Sequence, residues 1–114
     1  MRTTSFTIAE VDQQRLDASR DWREFLNVPS LSMGVYHVAA GSDDRATHRP
    51  HDRDEVYVGV RGQGRLTADD QEYLIQAGVI VYVQAGVPHH FHDVTDDLTM
   101  LVFFSAAERT GDSK

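Results

Sequence analysis

The stretch GSDDRATHRPHDRDEVYVGVRG, residues 41–62, joins a polar loop to a strand-like run and contains most of the residues that decide the fold. A strand is expected from Glu55 to Val60, and the run RGQG that follows is typical of a turn. His51 and Glu55 are four residues apart, so both side chains point to the same face of an extended chain. An imidazole and a carboxylate therefore meet on one face.

A second stretch, GVIVYVQAGVPHHFHD at residues 78–93, places another histidine at the start of a strand. Its Val79–Val83 run is β-branched and bounded by glycines, and His89 follows directly after Val87-Pro88. Two imidazoles and one carboxylate converging from adjacent strands form the nitrogen and oxygen ligand set of a mononuclear metal site. Such a site suits one divalent ion of Fe, Mn, Ni, Cu or Zn.

Together the two stretches resemble the motifs of the cupin family, in particular the small single-domain members of the RmlC-like cupin superfamily. The first motif has a Gly, a His-x-His pair, a Glu about four residues later and a Gly seven after that. The second reads Gly-x5-Pro-x-Gly-x2-His-x3-Asn. The positions that match are Gly41, His51, Glu55, Gly62, Gly78, Gly86 and His89, with Gln84 and Asp93 replacing the usual Pro and Asn. The resemblance implies an all-β fold, an antiparallel double-stranded β-helix forming a jelly-roll barrel, and a metal bound by three His and one Glu.

The first histidine of the His-x-His pair departs from the motif. Arg49 occupies its position and His48 lies one residue earlier, three residues from His51. An odd spacing sends two side chains to opposite faces of a regular strand. A bulge at Pro50 would restore convergence, because proline cannot donate to the strand ladder. The predicted ligands are therefore His48, His51, Glu55 and His89; without the bulge, water or substrate replaces His48, which then lies at the pocket rim.

Side-chain parity assigns faces to the neighbours of these ligands. Tyr57 follows Glu55 by two residues and shares its face, where it serves as packing or as a hydrogen-bonding acid/base group, the candidate catalytic residue. Phe91 shares the face of His89 as a wall or core aromatic. His90 and His92 have the opposite parity and should point away from the metal.

The rest of the chain predicts about eight short strands and little helix. Connections this short favour antiparallel pairing. The spacing of Trp22, Phe25 and Leu26 predicts a short helical turn within Ala18–Leu26. The domain prediction is an N-terminal strand and short helix over 1–30, a cupin barrel over 31–105 and a polar tail over 106–114. The predicted strands are Phe6–Ile8, Leu31–Ala39, Glu55–Val60, Arg65–Ala68, Glu72–Ile75, Val79–Val83, His89–Val94 and Leu98–Phe104, with a hairpin turn at Asp69-Asp70.

Length and charge limit the class of protein. The 114 residues suit one domain, and a net charge of −7 disfavours nucleic acid and membrane surfaces as partners. There is no cysteine, so thiolate ligands and a cysteine nucleophile are excluded. No signal-peptide pattern or membrane-spanning run is visible, so a cytoplasmic location is expected. So small a domain buries a limited share of its surface, which favours a homodimer.

A barrel of this kind could have one of three functions. A three-His, one-Glu site leaves about two coordination positions open, as in catalytic metal centres. We therefore expect a small metal-dependent cupin enzyme acting on a small organic molecule, dioxygenase-like or an isomerase or lyase. The alternatives are a non-catalytic small-molecule-binding cupin module and a metal-free, sugar-epimerase-like barrel. The third fits badly with the retained Glu55 and His89.

Overall fold

The computed structural model describes residues 2–45 and 52–106, which form one helix and six strands. All strand pairs are antiparallel, in the order β1-β2-β6-β3-β4 with β5 also paired to β3. The predicted all-β, antiparallel fold class with a short N-terminal helix is confirmed. The elements are α1 Ile8–Asp17, β1 Trp22–Val28, β2 Leu31–Val38, β3 Glu55–Ala68, β4 Gln71–Gln76, β5 Ile80–Val83 and β6 His89–Ser105.

The two long strands, β3 with 14 residues and β6 with 17, form the centre of the fold. They pair from Glu55↔Phe104 to Ala68↔His89, with register shifts between Gly59 and Arg65. Such irregularities bend a strand pair. As a result, the first half of β3 pairs with β5 in one layer, and its second half pairs with β4 in the other.

This bend corrects the predicted number of strands. The RGQG segment does not end a strand but lies inside β3, and β6 likewise contains two of the predicted strands. Gly62 allows the backbones of β3 and β6 to approach closely at this point. Its φ is +86°, and an added Cβ would lie 1.9 Å from the backbone oxygen of Asp97. Only glycine fits that conformation and that space.

The predicted β3–β4 hairpin is confirmed. Ala68 pairs with Gln71 across the two-residue turn Asp69-Asp70. Both aspartates have positive φ, 52° and 62°, as a tight hairpin turn with the favoured twist requires.

The N-terminal elements differ from the prediction. The predicted strand at Phe6–Ile8 is wrong, because Thr7 caps α1 there and its hydroxyl accepts a hydrogen bond from the Glu10 amide at 3.1 Å. The helical turn predicted within Ala18–Leu26 is also wrong, since that region holds β1. Tertiary packing favours a strand over a helix here, because the Trp22 ring fills the space over Gly34 and contacts Tyr36 and Phe104.

The main core lies inside the barrel, between its two layers. Its buried members are Val38, Tyr57, Leu66, Ile75, Val83, Phe91, Val94, Leu98, Met100 and Val102.

Helix α1 packs on the opposite, outer face of β1 and β2. Arg23 pairs with Val35 there and donates to Gln14 of the helix at 3.2 Å, while Val11 and Val35 are buried apart from the main core. The helix therefore covers one part of the outer sheet surface. In the described ranges no helix is long and apolar enough to cross a membrane.

Candidate metal centre

Glu55 and His89 meet inside the barrel from the first residues of β3 and β6. These residues lie at opposite ends of the β3–β6 pairing, so they approach across the space between the layers and not along one ladder. Glu55 Oε1 is 3.2 Å from His89 Nε2, and both side chains are only 1 % exposed. The bend in β3 and β6 is what brings the two predicted ligands together.

Tyr57 completes a buried triad with Glu55 and His89. Its hydroxyl donates to Glu55 Oε1 at 2.5 Å and lies 2.9 Å from His89 Nε2. Burial, followed by the charge and the hydrogen bond of Glu55, raises the pKa of Tyr57 far above its ordinary value. The phenol therefore keeps its proton at neutral pH and acts as a hydrogen-bond donor.

The backbone orients the imidazole of His89. Nδ1 lies 2.8 Å from the carbonyl oxygen of Val87, which leaves Nε2 facing Glu55 and Tyr57. Burial alone lowers the pKa of His89, but the hydrogen bonds to Glu55 and Val87 outweigh it and raise that pKa. A ring fixed through one nitrogen and presenting the other is the usual arrangement of a metal-ligating histidine.

The donor set fits a divalent ion as far as the described residues extend. Glu55 and His89 supply one carboxylate and one imidazole, held in place by Tyr57 and Val87. His48 and His51 fall in segment 46–51, outside the described residues, so their role as ligands stays a prediction. Within residues 2–45 and 52–106 there is no group of three or more His, Cys, Asp or Glu that could hold a metal.

The other two histidines of β6 lie on the outer side of the strand, as their parity predicts. His92 is hydrogen-bonded to Thr67 and Asp93, each at 2.7 Å, and its ring is 5.1 Å from that of His90. His90 Nε2 lies 3.0 Å from the Arg45 guanidinium. Burial and the charge of Arg45 lower the pKa of His90. A cleft of about 470 Å³ opens here, lined by Arg45, Thr67, Asp69, Asp70, Pro88, His89 and His90.

Two residues beside the triad are not identified by sequence reasoning. Asp44 is 5 % exposed; its carboxylate accepts from the Phe91 amide and from the Tyr36 hydroxyl, each at 2.6 Å. No local sequence pattern distinguishes Asp44 from its neighbour Asp43. The face of Tyr36 cannot be assigned relative to the ligands without the β2–β6 register. Burial, with Asp44 beside it, raises the pKa of Tyr36 well above its ordinary value.

Comparison with known families agrees with this geometry. The family model described as "Cupin domain" matches residues 34–105, which include β3, β6 and the triad. The chain belongs to the cupin family.

One sequence relative and two solved structures illustrate the similarity. An uncharacterised protein of Streptomyces coelicolor is 36 % identical over 104 residues, covering 91 % of this chain and 97 % of the relative. A structure from Rhizobium leguminosarum, of unknown function, has a TM-score of 0.74 at 18 % identity and covers 93 % of this chain and 99 % of its own. An RmlC-like cupin from Shewanella frigidimarina has a TM-score of 0.66 at 17 % identity, covering 77 % of each chain. Both structures are similar to this chain in fold.

Proposed function

We propose that this chain is a cytoplasmic, metal-dependent cupin enzyme that acts on a small organic molecule. One divalent ion of Fe, Mn, Ni, Cu or Zn would be held by His48, His51, Glu55 and His89. The observation that supports this most is the buried approach of Glu55 Oε1 to His89 Nε2 at 3.2 Å, with each group oriented by a further hydrogen bond. Buried charged groups are normally paired or bound to metal ions.

The reaction we favour is dioxygenase-like, with isomerase and lyase chemistry as the other members of the class. When bound, the ion would supply Lewis acidity and open coordination positions for substrate or dioxygen. Tyr57 is the candidate catalytic residue. Its one proton is donated to Glu55, so the hydroxyl could stabilise negative charge at a nearby substrate oxygen by turning that proton from Glu55 to the substrate.

A non-catalytic ligand-binding module is the second candidate, and the state of Tyr57 favours it. A phenol whose pKa is raised this far is a poor general base at neutral pH. If no other side chain takes up protons, the same centre would hold a small molecule without converting it.

We also propose that the chain forms a homodimer through the outer face of the layer that contains β5. One cross-strand row on this face is apolar throughout and only partly buried, and it ends at Tyr82, which is 60 % exposed. Next to it, Ile80 is 67 % exposed. The row consists of Leu26, Met33, Phe103, Val56 and Tyr82. A row without charged residues suits a second copy of a chain that carries a net charge of −7.

Metal analysis of protein purified without chelator tests the metal assignment. We expect close to one ion per chain, and a His48→Ala variant distinguishes a four-ligand from a three-ligand site by its metal affinity. Protein that neither carries a metal nor takes one up after reconstitution would contradict the proposal.

Oxygen consumption over a panel of small diketones, phenols and hydroxy acids then separates enzyme from binder. Turnover that is lost in Tyr57→Phe, with metal content retained, is the result expected of the enzyme. Ligand binding detected by calorimetry with no turnover of any panel member would favour the binding module.

A further inference from the structure

His92 lies at the centre of a chain of hydrogen bonds on the outer side of β6. Its Nδ1 is 2.7 Å from Asp93 Oδ2, and its Nε2 is 2.7 Å from Thr67 Oγ1. A carboxylate can only accept a hydrogen bond, so the neutral imidazole carries its proton on Nδ1 and donates it to Asp93. Nε2 is then an acceptor, and the Thr67 hydroxyl donates to it. The three groups form an Asp–His–Thr relay in which a base faces the hydroxyl.

The backbone of β6 departs from a regular strand where the relay forms. Neighbouring residues on a strand point to opposite faces, so Asp93 would normally lie away from the side chain of His92. The pairing of β6 with β3 shifts register here, between Arg65↔His92 and Gln63↔Asp96, and Asp93 has a positive φ of 48°. Bulges re-aim side chains in this way and are frequent beside active sites. The irregularity therefore brings the carboxylate to the imidazole.

The hydroxyl end of the relay lies at a cleft. Thr67 is one of the residues that line the outer cleft of about 470 Å³, together with Arg45 and His90. Arg45 donates to His90 Nε2 at 3.3 Å, and among residues 2–45 and 52–106 it forms no ion pair with a carboxylate. A cation in such a cleft stabilises the negative charge that develops on a carbonyl oxygen during acyl transfer.

We propose that Thr67, His92 and Asp93 form a second, outward-facing catalytic site that hydrolyses small carboxylic esters. The Thr67 oxygen attacks the ester carbonyl, its proton passes to His92 Nε2, and Asp93 stabilises the imidazolium that results. The alcohol then leaves with that proton. Water adds to the acyl-threonine, a proton from this water returns through His92 to Thr67, and the carboxylic acid is released. No step uses the metal centre.

Labelling with an alkyl fluorophosphonate tests for an activated hydroxyl, in protein as purified and after chelation. The Thr67 oxygen bonds to phosphorus, fluoride leaves, and the hydroxyl proton passes to His92, which gives a stable adduct. We expect mass spectrometry to locate the adduct on Thr67. Thr67→Val keeps the shape of the side chain without its hydroxyl and should not be labelled. Thr67→Ser should be labelled at least as fast as wild type, because its hydroxyl is less hindered.

Hydrolysis of 4-nitrophenyl acetate measures turnover at the same site. His92→Ala should lower kcat/KM by at least about 100-fold, as expected for loss of a general base. Asp93→Asn should lie between His92→Ala and wild type, because the Asp93 side chain is 71 % exposed and its charge is screened by solvent. The matched control is His37→Ala, which removes an imidazole that lies 3.4 Å from Thr99 and outside the relay. This variant should hydrolyse the ester like wild type.

The outcomes separate this site from the proposed metal centre. Hydrolysis that persists after chelation and is lost in Thr67→Val supports the second site. Equal rates in wild type and Thr67→Val, a wild-type rate no faster than that of free imidazole, or label absent from Thr67 would overturn it and leave the metal proposal untouched. Hydrolysis lost on chelation would also overturn it, since the metal centre would then be the source. Circular dichroism verifies that each variant is folded, and His92→Gln replaces His92→Ala if the latter is not.

Discussion

The two faces of β3 reverse the usual arrangement of a sheet strand. Its inward face begins with Glu55 and Tyr57, both buried and polar, whereas its outward face carries Val56 and Val58, both half-buried and apolar. A half-exposed antiparallel strand normally places apolar side chains inside and polar ones outside. At this end of the barrel a hydrogen-bonded polar cluster occupies the interior. Apolar side chains on the outer face must therefore also be buried to stabilise the fold.

The outer face obtains part of that burial from α1. The helix covers Val35 on β2, while the row ending at Tyr82 stays partly exposed. The comparison therefore predicts that inner-face changes alter ligand chemistry and that outer-face changes alter association and stability.

The largest expected effect is on the inner face. His89→Ala removes a proposed direct ligand and should lower metal affinity by at least about 100-fold, more than is typical for loss of an outer-shell partner. His92→Ala is the matched control, since its side chain lies on the other face of the same strand, bound to Thr67 and Asp93. Metal titration followed by calorimetry measures both. Equal metal affinities for the two variants would contradict the assignment of metal binding to the inner face of β6.

An intermediate effect is expected on the outer face. Replacing Ile80 and Tyr82 together with lysine places like charges opposite each other in a two-fold interface, and should weaken the dimer by at least about tenfold. Metal binding should be retained, because both side chains point away from the triad. Tyr73→Lys, an exposed site on β4, is the control. Sedimentation equilibrium gives the result, and a wild-type protein that is monomeric at all concentrations would exclude this interface.

The smallest effect concerns the contact between α1 and the barrel. Asp12 is buried and binds Arg15 at 2.7 Å and also Arg61. Burial alone raises the pKa of Asp12, but the hydrogen bonds from Arg15 and Arg61 outweigh it and hold that pKa below its ordinary value. Asp12→Asn should lower the free energy of unfolding by about 1 kcal/mol at neutral pH, a modest figure because Arg61 is largely exposed.

The sign of the pH dependence follows from the lowered pKa. The contribution of Asp12 is complete above the unfolded value of about 3.9 and disappears as pH falls through the lower folded pKa. Urea unfolding from pH 7 down to about 3 should therefore show wild type and Asp12→Asn converging below about pH 3.9. Asp17→Asn, on the exposed end of the same helix, should show a much smaller difference. A constant gap between wild type and Asp12→Asn at every pH would contradict the assignment.

Much of the barrel follows from sequence because its signals are local. The Asp69-Asp70 hairpin and the shared face of Glu55 and Tyr57 depend on turn chemistry and a period of two residues. The helix position was wrong because Trp22 packs across β2 on Gly34, a contact that no local pattern reveals. The Thr7-x-x-Glu10 capping pattern was the available sign of the true helix.

The candidate site likewise contains residues that the sequence pattern identifies and one that it does not. Glu55, Tyr57 and His89 could be chosen from spacing, and the structure brings these three together. Asp44 could not be chosen, because its role depends on meeting Phe91, 47 residues further along the chain. The assignments of His48 and His51, and the division of the chain at residues 30 and 105, stay predictions.

The pairing of β6 with both β2 and β3 has a consequence for how the chain folds during synthesis. Leu31 pairs with Ser105 and Glu55 with Phe104, so two strands made early obtain their central neighbour only after residues 89–105 have left the ribosome. Until then the nascent chain exposes unpaired strand edges, and contacts this distant in sequence slow folding. Among the described strands, a chain that lacks β6 can form only the β1–β2, β3–β4 and β3–β5 pairings.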